Sequence, residues 1–208
     1  MIESIDGLSV ITIIVTLIVS ITIHEAVHAY MGYFLGDDTA KLEGRVSLNP
    51  FKHIDPFSTI ILPVITFLIF KVPLLAAKPV PFNPNRVRYG EFGSAIIAVA
   101  GPLSNLVLAS LAAGLLQIFK GSLAVDLIQI LVIFMIVNIG LFVFNMIPVP
   151  PLDGSRLLYA FAPETVQRFM GALENIGIFL IFGLIVLAPE MFNFINNINN
   201  TIFNFLIS

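Results

Sequence analysis

The chain has 208 residues, of which 58% are hydrophobic and 11% charged, and a formal net charge of −3. Soluble domains carry about 25% charged residues, so an ordinary globular fold is excluded; with no basic cluster, so is a nucleic-acid binder. The absence of cysteine excludes a disulfide scaffold and thiol chemistry.

Residues 7–23 carry no charge, and a helix begun there can run on to about Leu35, where Gly36-Asp37-Asp38 stops it. Apolar runs of this length are membrane spans. The run starts close to Met1 without a basic segment, and no small-residue cleavage pattern closes it, so it reads as a retained span and not a signal peptide. Its last third holds His24-Glu25-Ala26-Val27-His28. Helix residues four apart stand one turn above the other on one face. Two imidazoles so placed can bind one zinc ion, and the glutamate beside the first can activate water at the metal. Location sharpens this short pattern, because ionisable groups inside a bilayer are costly unless they have partners or a function. A polar patch packed against other helices is the plainer alternative. At a rise of about 1.5 Å per residue, the two histidines lie about 14 Å below the helix end, inside the membrane but near one face.

Residues 37–56 are polar and turn-rich, with Asn49-Pro50 and Asp55-Pro56. The loose alternation from Leu42 to Leu48 predicts a short strand. His53 lies between the two X-Pro turns, either capping a turn or within reach of a metal. Residues 57–70 are apolar for 14 positions and carry Pro63, which suits a re-entrant or interfacial segment better than a span. Ala77 to Pro84 is too proline-rich for a helix and reads as extended.

From Phe92 to Phe119 no residue is charged, which predicts the second span. Near its start stands Gly101-Pro102-Leu103-Ser104-Asn105, whose small residues let helices approach closely. Asn105 is either helix-packing glue or a substrate contact. Residues 127–147 form a third span containing Asn138 and Asn145, and Pro148, Pro150 and Pro151 then break it. Broken helices at membrane depth are tolerated only where they line a cavity or are buried in protein. Asp153 follows at once and is the natural third ligand, since a catalytic zinc can take two histidines and a carboxylate and keep a fourth position open. Its alternative role is an N-cap for a helix from Gly154. Residues 171–189 predict a fourth, shorter span. In the tail, Phe194, Ile195, Ile198, Ile202, Phe205 and Leu206 lie opposite Asn193, Asn196, Asn197, Asn200 and Asn204, a pattern that predicts a helix lying in the membrane interface. The whole predicts an all-α integral membrane protein. It is a single domain over residues 1–208, with about four spans, a re-entrant or interfacial segment and an interfacial C-terminal helix.

Three motifs, His24-Glu-x-x-His28, Gly101-Pro-Leu-Ser-Asn105 and Asn145-x-x-Pro-x-Pro-Pro-Leu-Asp153-Gly154, resemble in kind and order the site-2 protease family of intramembrane zinc metalloproteases. They fall within residues 7–160. The resemblance implies one zinc per chain on His24, His28 and Asp153, with Glu25 as general base and hydrolysis of a peptide bond in or near a membrane-spanning substrate. It further implies that Asn145 holds the substrate or the oxyanion and that Asn105 is a packing and polar position. With the H-E-x-x-H helix as first span and no PDZ-like domain inserted, the chain is similar to a compact prokaryotic subgroup. An extended edge near Val80 could pair with unwound substrate by strand addition.

Two other classes fit part of the pattern: a silent metal-binding sensor, and a metal transporter. Glu25 argues against the first, because binding needs only the ligands; the single helix break argues against the second, since transporters carry breaks in matching halves. The four predicted spans leave nine of the ten lysines and arginines on one side and Lys120 alone on the other. That bias predicts a cell-membrane protein with its site near the cytoplasmic face and its amino terminus outside. The implied partners are the bilayer and a transmembrane substrate.

Overall fold

The computed structural model describes residues 7–53, 80–174 and 189–208, together with 176, 177, 179–181 and 183. Its helices are α1 (Gly7–Phe34), α2 (Thr39–Leu42), α3 (Gly90–Ile118), α4 (Val125–Asn145), α5 (Asp153–Phe161), α6 (Glu164–Glu174) and α7 (Pro189–Ile207), plus one 3-10 turn at Pro50–Lys52. No strand occurs among the described residues. Helices α1, α3 and α4 are each long and apolar enough to cross a membrane.

The bundle is held by rows of small and polar residues repeating every fourth position. In α1 the buried row is Thr12, Thr16, Ser20, His24, His28 and Gly32. In α3 it is Gly93, Ile97, Gly101, Asn105, Ala109 and Ala113. Lipid tails are as apolar as leucine, so span association rests on close packing and interhelical hydrogen bonds, which small residues permit. The larger apolar side chains of α1, such as Ile11, Ile14, Val15 and Ile18, point outward. Helix α4 adds Met135, Asn138, Ile139 and Val143 to the interior, and α5 packs on α3.

Both flanks of residues 54–79 lie at the C-terminal end of α1. The Arg88 N–H donates to the Leu35 carbonyl at 2.8 Å, the Asn83 N–H donates to Asp37 at 2.6 Å, and Arg86 pairs with Asp38. On the other flank, the Arg45 guanidinium donates to the Lys52 carbonyl. The predicted re-entrant segment at 57–70 lies outside the described residues. So does much of the predicted span at 171–189, of which α6 covers the beginning.

Two expectations are modified. Leu42 to Leu48 forms no strand: Asp37 accepts from the Thr39 N–H at 3.1 Å and hydroxyl at 2.5 Å, which starts the short helix α2. Gly44, at φ 68°, then turns the chain back. Local turn chemistry wins because no described strand is there to pair with. In the tail the amphipathic helix is present, as α7, with Asn193, Asn196, Asn197, Asn200 and Asn204 exposed. Its apolar stripe is covered by protein, however. Ile195, Ile198, Ile202, Phe203 and Leu206 pack on a cluster that includes Ala109, Ala113, Met135 and Ile139, and the Gln117 amide donates to the Leu206 carbonyl. Phe194 and Phe205 point away from that contact.

Candidate metal centre

The i, i+4 spacing on α1 puts the His24 and His28 rings edge to face, with centroids 4.6 Å apart. Their Nε2 atoms are separated by 3.0 Å. Asp153, the first residue of α5, brings its Oδ2 to 3.1 Å from His24 Nε2 and 3.3 Å from His28 Nε2. The helix cap at this end is Leu152, and no side chain bonds it, so the capping role for Asp153 is not taken up.

Two glycines make the convergence possible. A Cβ on Gly101 would stand 2.2 Å from His28 Nε2, and one on Gly154 would stand 2.3 Å from the Met146 carbonyl oxygen. The first lets α3 lie against the imidazoles. The second lets the start of α5 fold under the end of α4, which carries Asp153 back to α1.

The far nitrogen of each ring has its own partner. His28 Nδ1–H donates to the Ile97 carbonyl at 2.7 Å. His24 Nδ1–H donates to Asn105 Oδ1 at 2.7 Å. In the neutral imidazoles this leaves both Nε2 lone pairs facing a carboxylate oxygen, three electron-rich atoms with no proton to share among all of them. Such a set calls for a cation. Zinc held at about 2.0–2.1 Å in a tetrahedral shell keeps its ligands about 3.4 Å apart, close to the 3.0, 3.1 and 3.3 Å found here. The donors therefore fit zinc, and among the described residues they form the one cluster of metal-ligating type.

The other predicted site residues are placed as follows. Glu25, next to His24, is 8% exposed. Asn105 is fully buried behind His24, with its oxygen on Nδ1 and its nitrogen on Asn138. Both ends of the amide are occupied by these partners. Asn145 donates to the Leu141 carbonyl of its own helix at 3.0 Å. Val80 lies in irregular chain, half-buried. His53 is a loop residue, donating from Nε2 to the Ser47 carbonyl at 2.8 Å. Sequence reading noted Asn138 only as an amide within a span; its link to Asn105 depends on which faces of α3 and α4 meet.

A cavity of about 740 Å³ opens along α1, α3 and α5, with Ile23, Val27, Val99, Ala100, Leu103 and Leu157 in its apolar lining. Ile23 and Val27 precede the two histidines, and Ala100 precedes Gly101, so the cavity runs along the same turns of α1 and α3 that carry the cluster.

By architecture and donor chemistry this is a helical membrane metalloprotein. The chain is 38% identical over 184 residues to the Bacillus subtilis protein named "Putative zinc metalloprotease YwhC", covering 85% of this chain and 80% of that one. It belongs to peptidase family M50, the site-2 protease family to which the three motifs pointed, and is a zinc metalloprotease. The profile of peptidase family M50 matches residues 110–188. Rip2 of Mycolicibacterium smegmatis, named in the same way, is 26% identical over 174 residues, which are 81% of this chain and 64% of Rip2. A third such relative, MJ0611 of Methanocaldococcus jannaschii, is 37% identical over 103 residues, about half of each chain. No solved structure matches.

Proposed function

We propose that the chain is an intramembrane protease, hydrolysing peptide bonds in or beside the membrane-spanning segments of other proteins. The observation that carries this reading is the donor cluster on a spanning helix beside an apolar cavity. A polar peptide from water would leave its polar groups unpaired in such a cavity, whereas an apolar lipid-embedded segment loses nothing by entering it. His24, His28 and Asp153 hold the metal. When bound, zinc supplies Lewis acidity and makes water a nucleophile at neutral pH. Glu25 takes the proton of the attacking water and gives it to the leaving amine. Asn145 stabilises the oxyanion after releasing the Leu141 carbonyl, and Val80 offers its backbone to unwound substrate. Residues 1–208 act as one catalytic domain.

Purified protein in proteoliposomes should cleave a single-span test protein, stop on addition of a zinc chelator and resume on addition of zinc. His28→Ala and Asp153→Ala should lose both cleavage and bound zinc, read by elemental analysis. Full zinc occupancy in both variants would overturn the ligand set, and failure of the chelator to stop cleavage would overturn the chemistry.

The same reading puts the cluster near the cytoplasmic face, with the amino terminus outside. The flanks of 54–79 share one end of α1 and carry five of the ten lysines and arginines, which favours the cytoplasm for that end. Because cysteine is absent, single cysteines report sides cleanly. Lys52→Cys and Asn85→Cys, both at exposed positions, should resist an impermeant thiol reagent applied to intact cells, and Ser122→Cys should react. The reverse pattern would invert the orientation.

A further inference from the structure

Behind His24 the three spanning helices are joined by a chain of amides. Asn105 Oδ1 on α3 accepts from His24 Nδ1–H at 2.7 Å. Asn105 Nδ2 donates to Asn138 Oδ1 on α4 at 3.0 Å and to the Ser20 carbonyl on α1 at 3.5 Å. Asn138 Nδ2 in turn donates to the Phe134 carbonyl of its own helix at 2.8 Å. Both asparagines are fully buried, so neither finds water as an alternative partner.

The chain has a direction. The Phe134 carbonyl can only accept, which fixes the Asn138 nitrogen towards it and the oxygen towards Asn105. That oxygen fixes the Asn105 nitrogen, and leaves the Asn105 oxygen for His24. An imidazole facing an acceptor keeps its proton on Nδ1, and its Nε2 lone pair then faces His28 and Asp153. Turning either amide would set donor against donor, or acceptor against acceptor, inside lipid-shielded protein, where an unpaired polar group is costly.

We infer that Asn105 and Asn138 act together as positioning residues, which hold His24 in the Nδ1–H tautomer and aim its Nε2 at the zinc. This rests on the reading of His24 as a ligand. Outer partners of metal-bound histidines, when removed, typically lower metal affinity about 10–100-fold. Helix packing alone accounts for amides between spans but not for one that ends on a ligand's far nitrogen.

The test is zinc affinity, measured by chelator competition on purified protein, with thermal unfolding to check the fold. The double variant Asn105→Leu/Asn138→Leu removes both amides at an unchanged heavy-atom count and leaves neither facing a lost partner, so the bundle should survive. It should bind zinc about 10–100-fold more weakly. Asn105→Asp should keep more zinc affinity than Asn105→Leu, because one carboxylate oxygen still accepts from His24 Nδ1–H, although the other meets Asn138 Oδ1 in place of the lost donor. If the double variant fails to fold, these two single variants decide, and equal affinities overturn the inference. A folded double variant with wild-type affinity overturns it as well, provided His24→Ala has lost zinc. If His24→Ala itself binds zinc normally, the ligand reading falls and the inference falls with it.

Discussion

Glu25→Gln is expected to abolish measurable cleavage while leaving zinc in place. Glutamine matches glutamate in shape, and the donors at His24, His28 and Asp153 are untouched. What disappears is the group proposed to accept a proton from water and return it to the leaving amine. General acid–base catalysis of this kind contributes about 10²–10⁴-fold, and an amide can do neither step. Glu25 is nearly buried, so bulk water offers a poor substitute. Elemental analysis and cleavage of a single-span protein in proteoliposomes separate the two quantities. A sensor or transporter would tolerate the change. Wild-type turnover in this variant would remove Glu25 from the chemistry, and loss of zinc would turn it into a structural residue of the site.

Gly101→Ala is expected to destroy the centre from the side. The added methyl would lie 2.2 Å from His28 Nε2, 2.4 Å from His28 Cε1 and 2.8 Å from His24 Nε2. Both imidazoles are also tied at the back, to the Ile97 carbonyl and to Asn105, so they cannot slide away without breaking those bonds. Either α1 and α3 separate or the rings swing out, and in both cases the donor triangle opens. Displacements of about 1 Å in a catalytic site can cost about 10²-fold in rate. Gly114→Ala is the control on the same helix, since its Cβ would meet nothing within 4 Å; it should bind zinc and cleave normally. Equal behaviour of the two variants would show that the close approach at Gly101 does not hold the site together.

Much of the centre was legible because two of its members share one helix. His24 and His28 need only the helical period to meet. Asp153 was reached through chemistry, since two imidazoles in a span ask for a carboxylate, and one follows the proline break. What could not be read was the rotation of α3 and α4 about their axes. The sequence alone therefore allows Asn105 to be packing glue or substrate contact, and only the docked helices turn it to the back of His24. Asn138 lacked even that much signal. The tail shows the same limit: its apolar stripe was visible as a 3.6-residue period, but a period does not say whether lipid or Ala109 and Met135 will cover it. Leu42 to Leu48 failed differently, because alternation over a few residues is weaker than one aspartate bonded to Thr39.

Asp153 stands 129 residues after His24. A growing chain that has inserted α1, α3 and α4 carries two imidazoles facing no carboxylate, and remains without a complete set of donors until the turn after Asn145 has been made. Contacts of such sequence separation form late, after the loop-closure entropy of the intervening chain has been met. With zinc held as proposed, the metal is a late clasp between the first and last parts of the core. Because it binds only the closed bundle, free zinc pulls assembly forward by mass action. Proteolytic competence then arrives together with the finished fold, and an unfinished chain in the membrane is harmless to its neighbours.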